Sequence, residues 1–244
     1  MISYFFNQAI YNPLYNGFVF LITIIPWADA GIVVVVFTVI VRLILFPLSK
    51  KSVETQIKMK QIEPELAEIK EKHKENKQEQ AVQTMALYKK NNINPFSGFL
   101  LIFIQLPIII ALYYIFLKSG LPNIDIKLLY SFVHIPGPIS MNFLGLLDIS
   151  KKSIILAVLA GVTQFFQTRL SMPATTKRDD SKKPSFQDDL MRSMSLQMRY
   201  VMPIFMAFIA YSISGAVALY LVTSNTFTIG QELFVRRKKP TEVK

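Results

Sequence analysis

A single arginine lies inside a stretch of sequence that is otherwise typical of a membrane span. Residues 32–51 read IVVVVFTVIVRLILFPLSKK, and Arg42 is the only charged residue before the lysine pair. A charge at membrane depth costs from about 3 to more than 10 kcal/mol, and an arginine side chain keeps its proton in proteins. Arg42 therefore needs water, a carboxylate or polar side chains around its guanidinium group.

We considered three surroundings for Arg42. Snorkelling toward Lys50 would have to cover roughly 12 Å along a helix, so it would ease the cost without bringing the charge into bulk water. An ion pair needs an acidic residue within a span, but the nearest ones fall at or beyond the predicted span ends: Asp29, Asp125, Asp148 and Glu232. We favour a water-filled cavity open to the cytoplasm, which would attract negative charge.

Polar side chains suited to such a cavity recur at helical spacing in other predicted spans. In each of two predicted spans, three polar side chains share one helix face. They are Gln164, Gln167 and Ser171 in the third span and Ser224, Thr228 and Gln231 in the fifth. Taken singly, such a residue usually makes an interhelical hydrogen bond, but together with an unpaired arginine they favour a hydrophilic cavity. The candidate site residues are Arg42, Gln105, Gln164, Gln167, Ser224, Asn225 and Thr228.

The composition disfavours most enzymatic and metal chemistry. The chain has no cysteine, which excludes disulfides, thiolate metal sites and a cysteine nucleophile. The two histidines, His73 and His134, lie far apart, so a histidine-rich metal site is disfavoured. Ser212 and Ser214 have no histidine in a span to activate them. We therefore expect no enzymatic activity and no metal or cofactor.

The chain is strongly basic, with 27 Lys plus Arg against 16 Asp plus Glu and a formal net charge of +11. Such an excess is typical of proteins that bind nucleic acid, ribosomes or anionic lipid. In a membrane protein it also arises because lysine and arginine collect in cytoplasmic loops. We give this second explanation most weight, and expect no recognition of a specific nucleic acid sequence.

Composition predicts an all-α polytopic membrane protein. Of the 244 residues, 52% are hydrophobic and 18% are charged, whereas soluble domains carry about 25% charged residues. The apolar blocks suit five transmembrane helices with an N-terminal interfacial helix and a cytoplasmic helical hairpin. The predicted segments are an interfacial amphipathic segment (1–27), the first span (28–48), the cytoplasmic hairpin (49–96), the second span (97–117), an extracytoplasmic loop (118–152), the third span (153–171), a cytoplasmic loop (172–199), the fourth span (200–213), the fifth span (214–235) and a basic cytoplasmic tail (236–244).

The basic residues predict the orientation of these spans. Lys118, Lys127, Lys151 and Lys152 fall on one side of the membrane, and nearly all other basic residues fall on the other. Because lysine and arginine collect on the cytoplasmic side, we expect the N-terminus outside and the C-terminus in the cytoplasm.

Residues 49–96 combine a charged composition with apolar residues at roughly helical spacing. The apolar positions are Val53, Ile57, Ile62, Leu66 and Ile69 in the first half and Val82, Met85 and Tyr88 in the second. KENKQ at 74–78 is a polar break between two arms, and Pro64 is expected to kink the first arm. A charged linker is the alternative, which the apolar spacing disfavours.

Several motifs resemble the YidC/Oxa/Alb membrane protein insertases over about residues 8–235. They are IYNPLYNGFVFLI (10–22), RLILFPLSKKS (42–52), PELAEIKEKH (64–73), ALYKKNNINPFSGFL (86–100) and QLPIIIALYYIF (105–116). The resemblance implies a bacterial plasma-membrane protein that inserts nascent membrane proteins into the lipid bilayer, alone or beside the Sec translocon, and acts as a chaperone for their folding. It also implies the short form, without a large extracytoplasmic domain.

The resemblance also assigns roles to particular residues. Arg42 matches an arginine in a groove that is open to cytoplasm and lipid and closed on the outside, where it attracts acidic residues in a substrate's N-terminal tail. Gln105, Gln164, Gln167 and the polar run 223–228 fall in spans that line this groove. The hairpin resembles one that recruits substrate, and the basic RRKK tail resembles tails that contact ribosomes.

The main alternative is a membrane channel or transporter. It would need a continuous pore or acidic coupling residues within the spans, and the sequence indicates neither. A scaffold or ribosome anchor would account for the basic tail but would leave Arg42 unexplained.

Overall fold

The part of the chain that the structure describes folds mainly into helices. The computed structural model describes residues 2–94, 97–118, 124–171, 193 and 196–238. The helical class predicted from the apolar blocks is therefore confirmed. The predicted cytoplasmic loop 172–199 and basic tail 236–244 lie largely outside the described residues.

In chain order the helices are α1 (Ile2–Phe6), α2 (Asn12–Ile24), α3 (Ala30–Ile44), α4 (Phe46–Gln61), α5 (Glu63–Lys72), α6 (Lys77–Lys90), α7 (Ser97–Tyr113), α8 (Ile154–Ser171), α9 (Met202–Ile213) and α10 (Gly215–Lys238). Single π-helical turns follow α1 (Asn7–Tyr11), follow α7 (Tyr114–Lys118) and precede α9 (Gln197–Val201). The chain divides into two compact units: residues 1–44 with 104–229, and residues 45–103 with 230–244.

In the first unit, aromatic side chains fix α2 against its neighbours. Phe18 is fully buried, and its ring centre lies 5.7 Å from that of Phe37 on α3 and 5.5 Å from that of Phe116. Both pairs meet edge to face, which is a favoured geometry for aromatic rings. Tyr4 and Phe5 are exposed, so the N-terminal segment buries one aromatic set in protein and presents another outward.

A short β-hairpin is tied to the beginning of α3. Its strands are β1 (Asn142–Phe143) and β2 (Leu147–Asp148), which pair antiparallel. One carboxylate oxygen of Asp29 accepts a hydrogen bond from the backbone N–H of Ile32 (2.9 Å), and the other accepts from the N–H of Leu144 (2.9 Å). Asp29 thus caps α3 and holds the hairpin turn at the same time.

The same loop satisfies the beginning of α10. The N–H of Gly215 donates to the carbonyl of Lys151 (2.7 Å), and the N–H of Ala216 donates to that of Ile149 (2.9 Å). The first N–H groups of a helix have no acceptor within the helix. Here the loop carbonyls are the acceptors. Ser214 is extended and alone connects α9 to α10. A Cβ atom at Gly215 would lie 3.0 Å from the Cα of Ile149.

In the second unit, a small apolar core closes the hairpin of α5 and α6. It contains the buried Ile62, Leu87 and Ile93, with Met59, Leu66, Ile69 and Tyr88 packed against them, and burial raises the pKa of Tyr88 above its usual value. The helix break falls at Ile62, and Pro64 occupies the first turn of α5, where its missing N–H removes no helical hydrogen bond. The first arm is thus interrupted just before Pro64, close to where the kink was expected.

The apolar positions predicted for the second arm pack only in part. Val82 and Met85 are 60% and 57% exposed, whereas Leu87 is buried. At 100° per residue, Leu87 lies on the far side of α6 from Met85. The contact face of α6 is therefore the one that carries Leu87, with Tyr88 packed beside it. The second arm is helical, as its spacing predicted, but Val82 and Met85 do not pack in its core.

The end of α10 packs against the beginning of α4 within the second unit. The side-chain amide of Gln231 donates to the hydroxyl of Ser49 (2.6 Å). Glu232 is fully buried, and a carboxylate oxygen lies 2.7 Å from Nη2 of Arg236 one turn later. Gln231 thus joins two helices of this unit.

By length and hydropathy, α8 is the one described helix that is itself long and apolar enough to cross a membrane. The pair α3 and α4 counts as a second candidate if its two members form one broken span. The helix α10 is longer than α8, but its polar side chains lower its mean hydropathy below that of a typical membrane span.

Candidate functional site

Arg42 lies in the last turn of α3. The helix is rich in valine and isoleucine, which have low helix propensity in water. In lipid the helix is nevertheless favoured, because it pairs backbone N–H and C=O groups that have no water to bind. The sequence therefore holds Arg42 on a rigid element, near its C-terminal end.

The guanidinium group of Arg42 is held by two neutral side chains. Its Nε donates to the hydroxyl oxygen of Ser224 on α10 (3.0 Å), and its Nη2 donates to the amide oxygen of Gln105 on α7 (2.8 Å). A second bond joins Nη2 to the Ser224 hydroxyl. These bonds use the Nε and Nη2 atoms of Arg42. Among the residues that the structure describes, no carboxylate forms an ion pair with Arg42.

A fourth side chain completes this cluster. The amide nitrogen of Gln105 donates to the hydroxyl of Tyr220 on α10 (2.6 Å), and Tyr220 is 2% exposed. Tyr220 precedes Ser224 by one helical turn, so the two side chains share a face of α10. Arg42, Gln105 and Ser224, which the sequence analysis grouped together, thus meet in the structure, and Tyr220 joins them.

Gln164 and Gln167 form a separate polar ladder along α8. The amide nitrogen of Gln164 donates to the amide oxygen of Gln167 (2.9 Å) and to the Thr168 hydroxyl (3.2 Å). The amide nitrogen of Gln167 donates to the Ser171 hydroxyl (3.3 Å). Within the described residues, no hydrogen bond joins this ladder to Arg42.

Asn225 and Thr228 have structural partners. The amide nitrogen of Asn225 donates to the hydroxyl of Thr163 (3.3 Å) and lies 3.5 Å from the carbonyl of Ala160. It therefore links α10 to α8. The Thr228 hydroxyl donates to the backbone carbonyl of Ser224 (2.8 Å), an intrahelical bond common for threonine.

Residues 21–242 match the family model described as 60Kd inner membrane protein. The chain belongs to the YidC/Oxa/Alb family of membrane protein insertases.

Several curated members of the family are similar to the chain over most of its length. A membrane protein insertase YidC of Clostridium tetani is 32% identical over 237 residues, which cover 97% of this chain and 89% of the relative. One of Fusobacterium nucleatum is 30% identical, with 94% of this chain and 98% of the relative covered. One of Leptospira interrogans is 30% identical over 98% of this chain. The chain spans only 36% of the length of that last relative.

For this member of the YidC/Oxa/Alb family, the sequence analysis missed one residue of the cluster, Tyr220. Tyrosine in an apolar helix is ordinarily explained by packing, so its type gave no reason to select it. The available signal was its spacing, because Tyr220 lies four residues before Ser224 on the same face.

Proposed function

We propose that the chain is a membrane protein insertase of the bacterial inner membrane, which moves nascent membrane proteins into the bilayer through a hydrophilic groove that carries Arg42. The observation that carries this proposal is the guanidinium group held by neutral acceptors in a member of the insertase family. Gln105, Gln164, Gln167, Ser224, Asn225 and Thr228 are proposed to line the groove.

The charge of Arg42 gives the groove a preference for acidic substrates. Gln105 and Ser224 satisfy hydrogen bonds of the guanidinium group but carry no charge. A carboxylate adds the attraction of an opposite charge, and it can accept two parallel N–H bonds from a guanidinium group. A carboxylate in a substrate's N-terminal tail would therefore displace one of these acceptors and be held until the apolar segment has moved into lipid.

The groove acts by lowering a transfer barrier, without bond chemistry. Moving an unsatisfied polar group into hydrocarbon costs several kcal/mol. A wet groove in the inner leaflet shortens the apolar distance that a substrate tail must cross. The apolar segment of the substrate then leaves sideways into the bilayer, between the helices α8 and α10.

We also propose the five-span arrangement, with the segment bounds given in the sequence analysis, the N-terminus outside and the C-terminus in the cytoplasm. The support is the distribution of lysine and arginine, which leaves four lysines at 118, 127, 151 and 152 on the outer side. On this arrangement Arg42 lies toward the cytoplasmic end of the first span, where a cytoplasm-open groove would be wettest.

The proposed partners follow from the same scheme. Nascent membrane proteins are the proposed substrates, since the curated relatives are named membrane protein insertases. The hairpin of α5 and α6 is proposed to receive substrate, and the basic tail is proposed to contact the ribosome. We also propose that the protein can act together with the Sec translocon, and this part of the proposal is based only on the family resemblance.

Site-specific photo-crosslinking on translating ribosomes tests the proposal. A photoreactive residue replaces Gln164, which is half-buried on α8, and the substrate is a short membrane protein with an acidic N-terminal tail. The same probe is placed at Tyr4, which is 71% exposed, as a control site away from the groove. We expect a crosslink to the nascent span at Gln164, absent at Tyr4 and weaker with Arg42→Ala.

The other outcomes separate the parts of the proposal. A crosslink at Gln164 that is unchanged by Arg42→Ala would contradict capture by the arginine and leave the groove. No crosslink at Gln164 with folded, membrane-embedded protein would contradict the groove. Ion flux through the purified protein in vesicles would instead favour the channel or transporter alternative.

A further inference from the structure

We propose that Tyr220 is a positioning residue for Arg42, because its buried hydroxyl anchors the Gln105 amide in the orientation that presents the amide oxygen to the guanidinium group. The consequence for substrates rests on the proposed function, whereas the positioning itself does not. Tyr220 contacts neither the guanidinium nitrogens nor the substrate in this scheme and acts through Gln105.

The two ends of the Gln105 amide have different partners. The oxygen accepts from Nη2 of Arg42 at 2.8 Å, and the nitrogen donates to the Tyr220 hydroxyl at 2.6 Å. An amide rotated by half a turn would place its NH₂ group against the guanidinium N–H groups, so donors would face donors. Arg42 therefore selects the observed orientation, and the Tyr220 oxygen stabilises it by accepting from the amide nitrogen on the side away from Arg42.

The hydrogen bonds form a continuous chain. The Tyr220 hydroxyl accepts from Gln105, and Arg42 donates to both Gln105 and Ser224. A buried network in which every member has a partner is more rigid than its separate bonds would be.

Tyr220 is the rigid member of this chain of hydrogen bonds. It is 2% exposed, and its neighbours in the sequence, Val217, Ala218, Leu219 and Leu221, are also buried. Its ring has two side-chain torsions and is held by packing, whereas Gln105 and Arg42 have long, flexible side chains. The flexible pair thus takes its position from the packed tyrosine, and a substrate carboxylate meets a guanidinium group that is already oriented.

The positioning is tested first without any transport activity. In protein labelled with ¹⁵N-arginine, the Nε–Hε signal of Arg42 is assigned by its loss in Arg42→Lys, and its exchange with water is measured in Tyr220→Phe. Tyr113→Phe is the matched control, since Tyr113 is 42% exposed on α7 and also loses one hydroxyl. We expect a shifted Arg42 signal and exchange about threefold to tenfold faster in Tyr220→Phe only, as for the loss of one buried hydrogen bond.

The same variants are then compared in an insertion assay with two substrates that differ only in an acidic or a neutral N-terminal tail. Tyr220→Phe is expected to lower the ratio of acidic to neutral insertion about threefold, because insertion of the acidic substrate falls more than insertion of the neutral one. Because Tyr220 acts through Gln105, Tyr220→Phe should have no further effect on this ratio in a Gln105→Leu background.

Three results would overturn the inference. The first is an Arg42 signal that is the same in Tyr220→Phe as in Tyr113→Phe. The second is an equal loss of insertion for both substrates, which indicates a structural role alone. The third is a full additional loss in the Gln105→Leu background. If the unaltered protein inserts neither substrate, the proposed function fails, and the Arg42 signal still decides the positioning.

Discussion

At the scale of the residue, the charge of Arg42 is accommodated by hydrogen bonds without a counter-ion in the described part of the chain. Oxygen atoms of Ser224 and Gln105 accept hydrogen bonds from Nε and Nη2. These bonds offset part of the free-energy cost of removing the guanidinium group from water. A buried carboxylate would have offset more, but it would also have cancelled the charge. Neutral acceptors leave that charge available to a ligand.

Replacing Arg42 by lysine separates charge from geometry. Lysine keeps the positive charge, but its single ammonium group cannot present two separate nitrogens to Ser224 and Gln105 as the planar guanidinium group does. We expect Arg42→Lys to retain part of the preference for acidic over neutral substrate tails, reduced about threefold, and Arg42→Ala to abolish it. Protease protection of the inserted substrates measures the ratio, and an undiminished preference in Arg42→Ala would contradict the role of the charge.

At the scale of the element, α3 begins under the β-hairpin with very little space. A Cβ atom built on Gly31 would lie 2.3 Å from the ring of Phe143, closer than any real contact. Asp29 and the bond from the N–H of Ala30 to the carbonyl of Ser140 (2.8 Å) hold the hairpin at this end of the helix. The hairpin therefore has no room to retreat without breaking them.

Two glycine-to-alanine changes of opposite sign test this packing. Gly31→Ala should lower the free energy of unfolding by about 1–3 kcal/mol, because Phe143 or the hairpin must shift. Gly230→Ala should raise it by about 0.5–1 kcal/mol, since nothing lies within 4 Å of its Cβ position and alanine is the better helix former. Unfolding of both variants in detergent measures the difference, and a neutral Gly31→Ala would contradict the tight contact.

The hairpin of α5 and α6 depends on Leu87 rather than on the exposed apolar residues beside it. Leu87→Ala should destabilise the hairpin by about 2 kcal/mol or more, because it leaves a cavity in the small core around Ile62. Val82→Ala, at a 60% exposed position, should change stability by less than about 0.5 kcal/mol. Hydrogen exchange of the α6 amides measures both, and equal effects would place Val82 in a contact as well.

At the scale of the whole molecule, the proposed orientation is open to a direct test because the sequence has no cysteine. Single cysteines at Lys127 and Lys89 would each be the only thiol in the protein. We expect a membrane-impermeant maleimide to label Lys127→Cys in intact cells, because residue 127 lies in the proposed outer loop. Lys89→Cys should be labelled only after the membrane is opened, because residue 89 lies in the proposed cytoplasmic hairpin. The reverse pattern would invert the topology.

The sequence by itself determined the helical class, because apolar blocks of this length in lipid can satisfy their backbone groups within helices. The sequence also selected Arg42, because a charged side chain in an apolar stretch must find water, a counter-ion or polar side chains around it. For the second arm of the hairpin, helical spacing selected Tyr88, which packs against the core, and also Val82 and Met85, which are exposed. It did not select Leu87, which is buried. In a charged helix several faces carry an occasional apolar residue, so spacing alone does not choose between them.

Only the tertiary structure decided which polar residues meet. Arg42 contacts Gln105 and Ser224, which are 63 and 182 positions away in the sequence, whereas Gln164 and Gln167 bond to each other and to neighbours on α8. Tyr220 joined the cluster although its residue type gave no reason to select it. Helical spacing fixes which side chains share a face, but the packing of one helix against another fixes which faces meet, and that depends on the fit of all the side chains between them.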